Sequence, residues 1–383
     1  MSALPLKIFF PGKLVFGNGV FAQVADEVQS LQCQKVFIAT IDPLLTQVQP
    51  LVQALQQHQI EVLVDTSIVA EPSFSDFEKL METVAPFNPD LVLGIGGGSV
   101  LDIAKLVAAQ LENEQQLSEY VGIGLLKGRK KKLICIPATS GTGSEMSPNA
   151  ILVDDADNQK KGIISPYLVP DTVFVDPLLT LSVPPAITAA TGMDALTHCL
   201  EAYTNKFAQS FVDLFAYEGI RLIAANIVTA VQDGSNAAAR EKVALGSMYG
   251  GICLGPVNTA GVHALSYPLG SMYHLPHGLS NALLLPYIME YNFPAAPERY
   301  ADVALALGCT RQTSDVETAA LGVAKIRELN AACGIPARLQ DVGVDKASIP
   351  QMAFEAMKIQ RLLKNNPREI TEQDAIDIFN TAF

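Results

Sequence analysis

The stretch Asp90-Leu-Val-Leu-Gly-Ile-Gly-Gly-Gly-Ser-Val-Leu-Asp-Ile-Ala-Lys105 carries two structural signals in one run. Leu91 to Ile95 is continuously apolar, as a strand buried on both faces of a parallel sheet must be. Val100 to Gln110 has helical periodicity and good helix formers. Between them lie Gly96, Gly97, Gly98 and Ser99, where three glycines leave backbone N–H groups uncovered at a helix start. Those unpaired donors and the helix dipole attract phosphate, so the turn is a candidate seat for a pyrophosphate. A turn that needs glycine for its geometry alone would read the same way, and the ligand must be argued from elsewhere in the chain.

Before Ser182-Val-Pro-Pro185, the pattern around this stretch repeats it. Strand-like runs at Lys35–Thr40, Glu61–Asp65, Asp90–Ile95, Leu133–Ile136 and Thr172–Val175 alternate with helical stretches such as Phe74–Ala85 and Val100–Gln110. That alternation predicts an α/β domain over residues 1–182 with a doubly wound, Rossmann-like parallel sheet. After residue 182 the β-branched runs vanish. Helical segments follow at Ala186–Tyr203, Ser210–Gln232, Ala237–Leu254, Leu279–Met289, Glu298–Leu307, Val316–Cys333 and Gln351–Ile359, predicting an all-α domain over residues 183–383. Gly255 to Gly261 reads as a connection between helices, and no internal repeat or low-complexity tract is present.

Three of the five histidines point to a metal. Asp194 and His198 are four residues apart, about one helical turn, so one carboxylate and one imidazole project from the same helix face. His263 and His277 can join them only through folding. An exposed helical pair would show the same Asp-x-x-x-His spacing. One carboxylate with three neutral imidazoles suits Fe(II), Zn(II), Co(II) or Ni(II) and suits Ca(II) or Mg(II) poorly.

Bulk properties set limits. The chain has 383 residues, 49% of them hydrophobic, enough for two substantial cores. A net charge of −13 argues against nucleic acid or an anionic membrane surface as partner. The one basic run, Lys127 to Lys132, reads as a solvated loop. No secretory leader is evident, and no apolar run approaches the ~20 residues of a membrane span, so a cytoplasmic protein is expected. Cys33, Cys135, Cys199, Cys253, Cys309 and Cys333 are dispersed without Cys-x-x-Cys spacing, as reduced core thiols are.

Four motifs in order then carry a resemblance: Gly96-Gly-Gly-Ser-x-x-Asp-x-Ala-Lys105, Pro137-Ala-Thr-Ser-Gly-Thr-Gly-Ser-Glu145, Gly192-Met-Asp-Ala-Leu-Thr-His198 and Pro276-His-Gly278. Together they resemble the iron-containing (group III) alcohol dehydrogenases of the dehydroquinate synthase-like superfamily, over the whole chain. The resemblance implies hydride transfer between a nicotinamide cofactor and a small primary alcohol, diol or aldehyde, in a cleft between the two domains, and a homo-oligomer. It also implies iron at Asp194, His198, His263 and His277, though the ligand set accepts zinc equally. Cofactor contacts carried over by motif are Gly96, Gly97, Gly98, Ser99, Asp102, Thr139, Thr142 and Lys160, with Lys161 competing for the last position. Lys105 matches the same signature, and Asn149 falls near the substrate. Phe207, Val257 and Leu254 are candidate pocket residues.

Two departures stand out. Ile41 occupies the place where many members have a ribose-binding aspartate, and Asp42 follows it. That favours NAD over NADP only weakly, because a one-residue shift at a strand tip can turn the carboxylate away. Tyr267 replaces a histidine four residues after the third ligand that has been proposed to relay the alcohol proton. With an unperturbed pKa of about 10, tyrosine is a poor base, so His274 is the other candidate. Rival readings are a zinc-dependent, glycerol dehydrogenase-like polyol oxidoreductase and, from another class, a metallohydrolase. The latter has no use for a nicotinamide loop, and no His-Glu-x-x-His, Gly-x-Ser-x-Gly or Walker A pattern occurs.

Overall fold

The computed structural model describes residues 6–68, 71–156 and 159–383 and folds into two compact units. One comprises Ile8–Thr139 with Gly143–Thr180, and the other comprises Leu181–Phe383 with Ser140–Thr142.

In chain order the first unit has strands β1 (Lys13–Phe16), β2 (Lys35–Ala39), β3 (Glu61–Asp65), β4 (Leu91–Gly96), β5 (Gly122–Ile123), β6 (Lys132–Pro137), β7 (Asn149–Asp154), β8 (Gln159–Ile164) and β9 (Thr172–Val175). Its helices are α1 (Val24–Ser30), α2 (Leu45–Gln57), α3 (Phe74–Phe87) and α4 (Gly98–Gln110). Six strands form one parallel sheet in the order β1-β9-β6-β4-β2-β3. The period-two pleat explains the continuous apolar runs. Val36, Ile38, Leu91, Leu93, Ile95, Ile134 and Ile136 share a core with residues of α1 and α2. Phe37, Ala39, Val92, Leu133 and Cys135 share the other with residues of α3 and α4. Each valine, leucine, isoleucine or phenylalanine among them contributes roughly 1.5–3 kcal/mol by burial. The chain is therefore α/β here, with a doubly wound parallel sheet, as its alternation predicts.

A second sheet, β5-β8-β7, was not anticipated. β7 pairs antiparallel with β8, and Ala150 and Leu152 reach the α3 and α4 core. The polar β8 sequence Gln159-Lys-Lys-Gly hides its strand character. The basic run is more than a solvated loop: Arg129 forks onto both Asp171 oxygens, at 2.7 and 3.2 Å, and also donates to the carbonyls of Tyr167 and Val169.

The second unit is helical: α5 (Pro185–Thr204), α6 (Ser210–Gln232), α7 (Ala237–Leu254), α8 (Gly261–Tyr273), α9 (His277–Asn292), α10 (Pro297–Ala306), α11 (Asp315–Ala332), α12 (Ile349–Met357), α13 (Gln360–Leu363) and α14 (Glu372–Ala382). Sequence periodicity missed α8, which has Pro268 in its interior, and α14, although Thr371 and Asp374 form a capping box at the start of α14. The expectation about apolar runs needs correcting too. The 23-residue helix α6 is long and apolar enough to cross a membrane, but it packs against α5 and α7 as a core helix does.

Candidate metal centre and functional site

Helix α5 begins with Pro185 in its first turn, where a missing N–H costs nothing, and carries Asp194 and His198 on one face. Both are buried. Helix α9 begins at His277, and Gly278 lets it press against α5. A Cβ at Gly278 would come within 2.3 Å of the Ala190 carbonyl oxygen and 3.2 Å of Asp194 Cβ. His263 enters from the first turn of α8.

These elements bring the four sequence-predicted ligands together around Asp194 Oδ1. His263 Nε2 lies 3.6 Å from it, and His198 Nε2 and His277 Nε2 each lie 3.9 Å away. The ligand atoms of Asp194, His263 and His277 all fall within 4.8 Å of one another. A distance of 3.6 Å is too long for a hydrogen bond, and His263 Nε2 is buried with no hydrogen-bond partner. Two ligands of one tetrahedral ion stand about 3.4 Å apart, given metal–ligand bonds of ~2.1 Å, so the residues present fit a divalent cation.

Two groups absent from the sequence reading complete the centre. Glu201 Oε2 lies 2.6 Å from His263 Nδ1, and Glu201 also accepts the backbone N–H groups of Ala260 and Val262, at 3.0 and 2.6 Å. One carboxylate thus satisfies free donors at the start of α8 and fixes which imidazole nitrogen faces Asp194. Asn281 Nδ2 donates to Asp194 Oδ1 at 2.7 Å and lies 3.2 Å from His277 Nε2. Both positions carried a signal, since Glu201 extends the Asp194, His198 stripe by one turn and Asn281 is one turn after His277. Burial by itself would raise the Asp194 pKa, but the imidazoles of His198, His277 and His263 hold it well below the usual carboxylate range. Burial also pulls His263 down, and Glu201 and Asp194 more than offset this, pushing it up to about 10. For His198 burial wins and the pKa is lowered.

In the first unit, Gly97 caps α4 with no side chain between its backbone and the turn, and Gly98 and Ser99 open the helix. Ser99 Oγ accepts the Glu71 N–H at 3.3 Å. An ideal Cβ at Gly97 would lie 3.5 Å from Thr139 Oγ1, so Thr139 borders the glycine turn. At Gly96 a Cβ would be 2.8 Å from Val100 Cβ, so that glycine is required by packing. Asp102 faces inward: Oδ1 accepts from Ser144 Oγ at 2.5 Å and Oδ2 from the Ile151 N–H at 3.0 Å. Lys105, fully buried, donates to Ser144 Oγ, the Ser147 carbonyl and the Asn149 carbonyl at 2.8, 3.0 and 2.8 Å. Together they pin the segment 144–151. Glu145, on that segment, is buried, and burial pushes its carboxyl up to about 7. Asn149 Oδ1 is buried without a hydrogen-bond partner. Lys160 pairs with Glu71 at 2.5 Å, whereas Lys161 lies 3.8 Å from Asp154. Asp42 is exposed and starts a short 3-10 turn after β2. Thr142 is half-buried and groups with the helical unit.

His274 stands three residues before the ligand His277. It is exposed at the end of α8, where its left-handed backbone (φ 53°) terminates the helix, and its ring makes no hydrogen bond or ring contact among the described residues. Tyr267 lies one turn after His263 on α8, with its ring centroid 5.9 Å from that of His277. Of the candidate pocket residues, Leu254 and Val257 are buried and Phe207 is exposed.

Comparison with known proteins agrees with this geometry. The family model described as iron-containing alcohol dehydrogenase matches residues 11–177, and the C-terminal model of the Fe-containing alcohol dehydrogenase family matches residues 188–383. The chain belongs to the iron-containing alcohol dehydrogenase family. It is 37% identical over 384 residues to long-chain-alcohol dehydrogenase 1 of Geobacillus thermodenitrificans, covering 98% of this chain and 96% of that one. The crystal structure of a 1,3-propanediol oxidoreductase is 34% identical, with a TM-score of 0.95 over 99% of this chain and 100% of that one. A sulfoacetaldehyde reductase from Bifidobacterium kashiwanohense, solved in complex with NAD+, is 27% identical, with a TM-score of 0.89 and 99% of each chain covered. The enzyme is an NAD(P)-dependent oxidoreductase that interconverts alcohols and aldehydes.

Proposed function

We propose that the enzyme oxidises small primary alcohols or diols, and reduces the matching aldehydes, with a divalent ion held by Asp194, His198, His263 and His277 and with NAD(H). The observation that carries this reading is His263 Nε2, buried without a partner 3.6 Å from Asp194 Oδ1 while Glu201 holds the opposite nitrogen. When bound, such an ion supplies Lewis acidity toward the alcohol or aldehyde oxygen, and the nicotinamide supplies the hydride chemistry. Iron is the metal the family implies.

The chain's own residues do the rest. Backbone N–H groups of Gly96, Gly97, Gly98 and Ser99 receive the diphosphate at the start of α4, bordered by Thr139, and Thr142 and Lys160 contact the cofactor beyond it. Asp102 and Lys105 hold the cofactor-side loop in shape. Asn149 offers its unpartnered Oδ1 to the substrate. Tyr267, on the ligand-bearing face of α8, takes the proton relay in place of exposed His274. The NAD+ complex of the sulfoacetaldehyde reductase supports NAD as cofactor, and Asp42 at the end of β2 supports it weakly. Six free cysteines suit a cytoplasmic enzyme, and a homo-oligomer follows the family resemblance.

The test is metal analysis together with absorbance at 340 nm, using NADH and a panel of aldehydes. About one divalent ion per chain and metal-dependent NADH oxidation are expected, with both lost in His263→Ala. Full turnover in a metal-free preparation would refute the reading.

A further inference from the structure

The enzyme is strongly acidic, with 39 Asp and Glu against 26 Lys and Arg, so an arginine without a carboxylate or carbonyl partner is unusual. Six of its nine arginines lie at salt-bridge distance from a carboxylate. Arg240 is closed in by Thr188 Oγ1 and the carbonyls of Gly234 and Val183, and Arg368 donates to the Tyr291 carbonyl. Arg361 is the exception among the described residues. Its one hydrogen bond runs from Nη2 to the Tyr267 hydroxyl at 2.9 Å, and its guanidinium lies 6.0 Å from the Tyr267 ring centroid. A guanidinium has five N–H donors in a rigid fork, and half-buried Arg361 places one of them on a neutral hydroxyl. That is a partly desolvated charge with no carboxylate at salt-bridge distance among the described residues.

Its location gives the charge a use. Tyr267 stands one turn from His263, and its ring centroid is 5.9 Å from that of His277. Arg361 thus lies one tyrosine away from the ligand cluster, and Tyr267 fixes the guanidinium by accepting from it.

We propose that Arg361 is a specificity-determining residue that binds an oxyanion on the substrate. The substrate class is a short aldehyde, or its alcohol, bearing a carboxylate or sulfonate at the end remote from the reacting carbon. This deepens the proposed function and rests on its assignment of the ligand cluster as the reaction centre. The planar fork pairs bidentately with such an anion, whereas a neutral alkyl tail leaves the charge unpaired. Truncating the guanidinium therefore removes a charge-assisted pairing that only the anionic substrate makes.

The test compares succinic semialdehyde and a short sulfonated aldehyde with pentanal, using the metal-loaded enzyme and NADH. The anionic aldehydes should show the higher kcat/KM, and their ratio to pentanal should fall roughly ten- to a hundredfold in Arg361→Met. Arg361→Lys, which keeps charge but not the fork, should fall between. The faster of the two anionic substrates identifies the carboxylate or the sulfonate as the natural group. Calorimetric titration with unreactive succinate supplies a readout without turnover, and its binding should weaken at least tenfold in Arg361→Met. Preference for pentanal, or an anionic-to-neutral ratio unchanged in Arg361→Met, overturns the proposal and leaves the alcohol dehydrogenase reading standing. Failure to reduce any aldehyde counts against that reading instead, and equal succinate binding by the wild type and Arg361→Met then overturns the role of Arg361 by itself.

Discussion

Glu201 and His263 are joined through a 2.6 Å contact between Oε2 and Nδ1, and the same carboxylate receives the backbone N–H groups that open α8. The orientation of a metal-facing imidazole and the start of the helix that carries it therefore depend on one side chain. Carboxylates behind metal-binding histidines typically account for ten- to a hundredfold in affinity. Glu201→Gln, which keeps an acceptor for the α8 N–H groups, is expected to weaken metal binding by roughly that factor in a chelator competition. Unaltered affinity would mean that Glu201 serves the helix alone.

The metal-free protein should bind a proton where the ion would sit. The His263 pKa is pushed up to about 10, above an ordinary value of about 6.5. A raised folded-state pKa stabilises the fold fully below about 6.5, and that contribution is lost as pH rises through about 10. Thermal unfolding of the metal-free protein should therefore occur at falling temperatures across that window. Because a divalent ion takes only neutral imidazole, its uptake near pH 7.5 should release about one proton per chain, measured calorimetrically in buffers of differing ionisation enthalpy. Uptake without proton release would show His263 already neutral.

Two adjacent glycines should fail differently. Gly97→Ala adds a Cβ that meets only Thr139, at 3.5 and 3.6 Å, so the fold should hold while NADH affinity drops roughly tenfold. Gly96→Ala drives a Cβ to 2.7 and 2.8 Å from Val100 atoms and should cost about 1–3 kcal/mol of stability by overpacking. Fluorescence titration with NADH and a thermal melt distinguish them. Wild-type NADH affinity in Gly97→Ala would reduce the glycine run to a turn.

The proton route should follow position rather than residue type. Tyr267→Phe is expected to slow alcohol oxidation by roughly ten- to a hundredfold with metal retained, and His274→Ala should slow it far less. The pH profile of kcat/KM for each variant is the measurement. A larger loss in His274→Ala would reverse the assignment.

Sequence periodicity alone determined five of the six strands of the main sheet, the glycine turn and most of the helical half, because a strand buried on both faces and a one-sided helix each leave a local pattern. It also placed Asp194 and His198 on one face. The same logic, taken one turn further, would have found Glu201 and Asn281. Pro268 broke the pattern of α8, so the helix carrying His263 and Tyr267 was invisible, as was the polar strand β8. Only tertiary structure decided which faces meet. It set His263 and His277 against Asp194, turned Asp102 inward, left His274 exposed, and brought Arg361 to Tyr267 across 94 residues of chain. Spacing along a helix records the direction in which a side chain points. The group it meets is set by how helices distant in sequence pack their apolar stripes, which no local window contains.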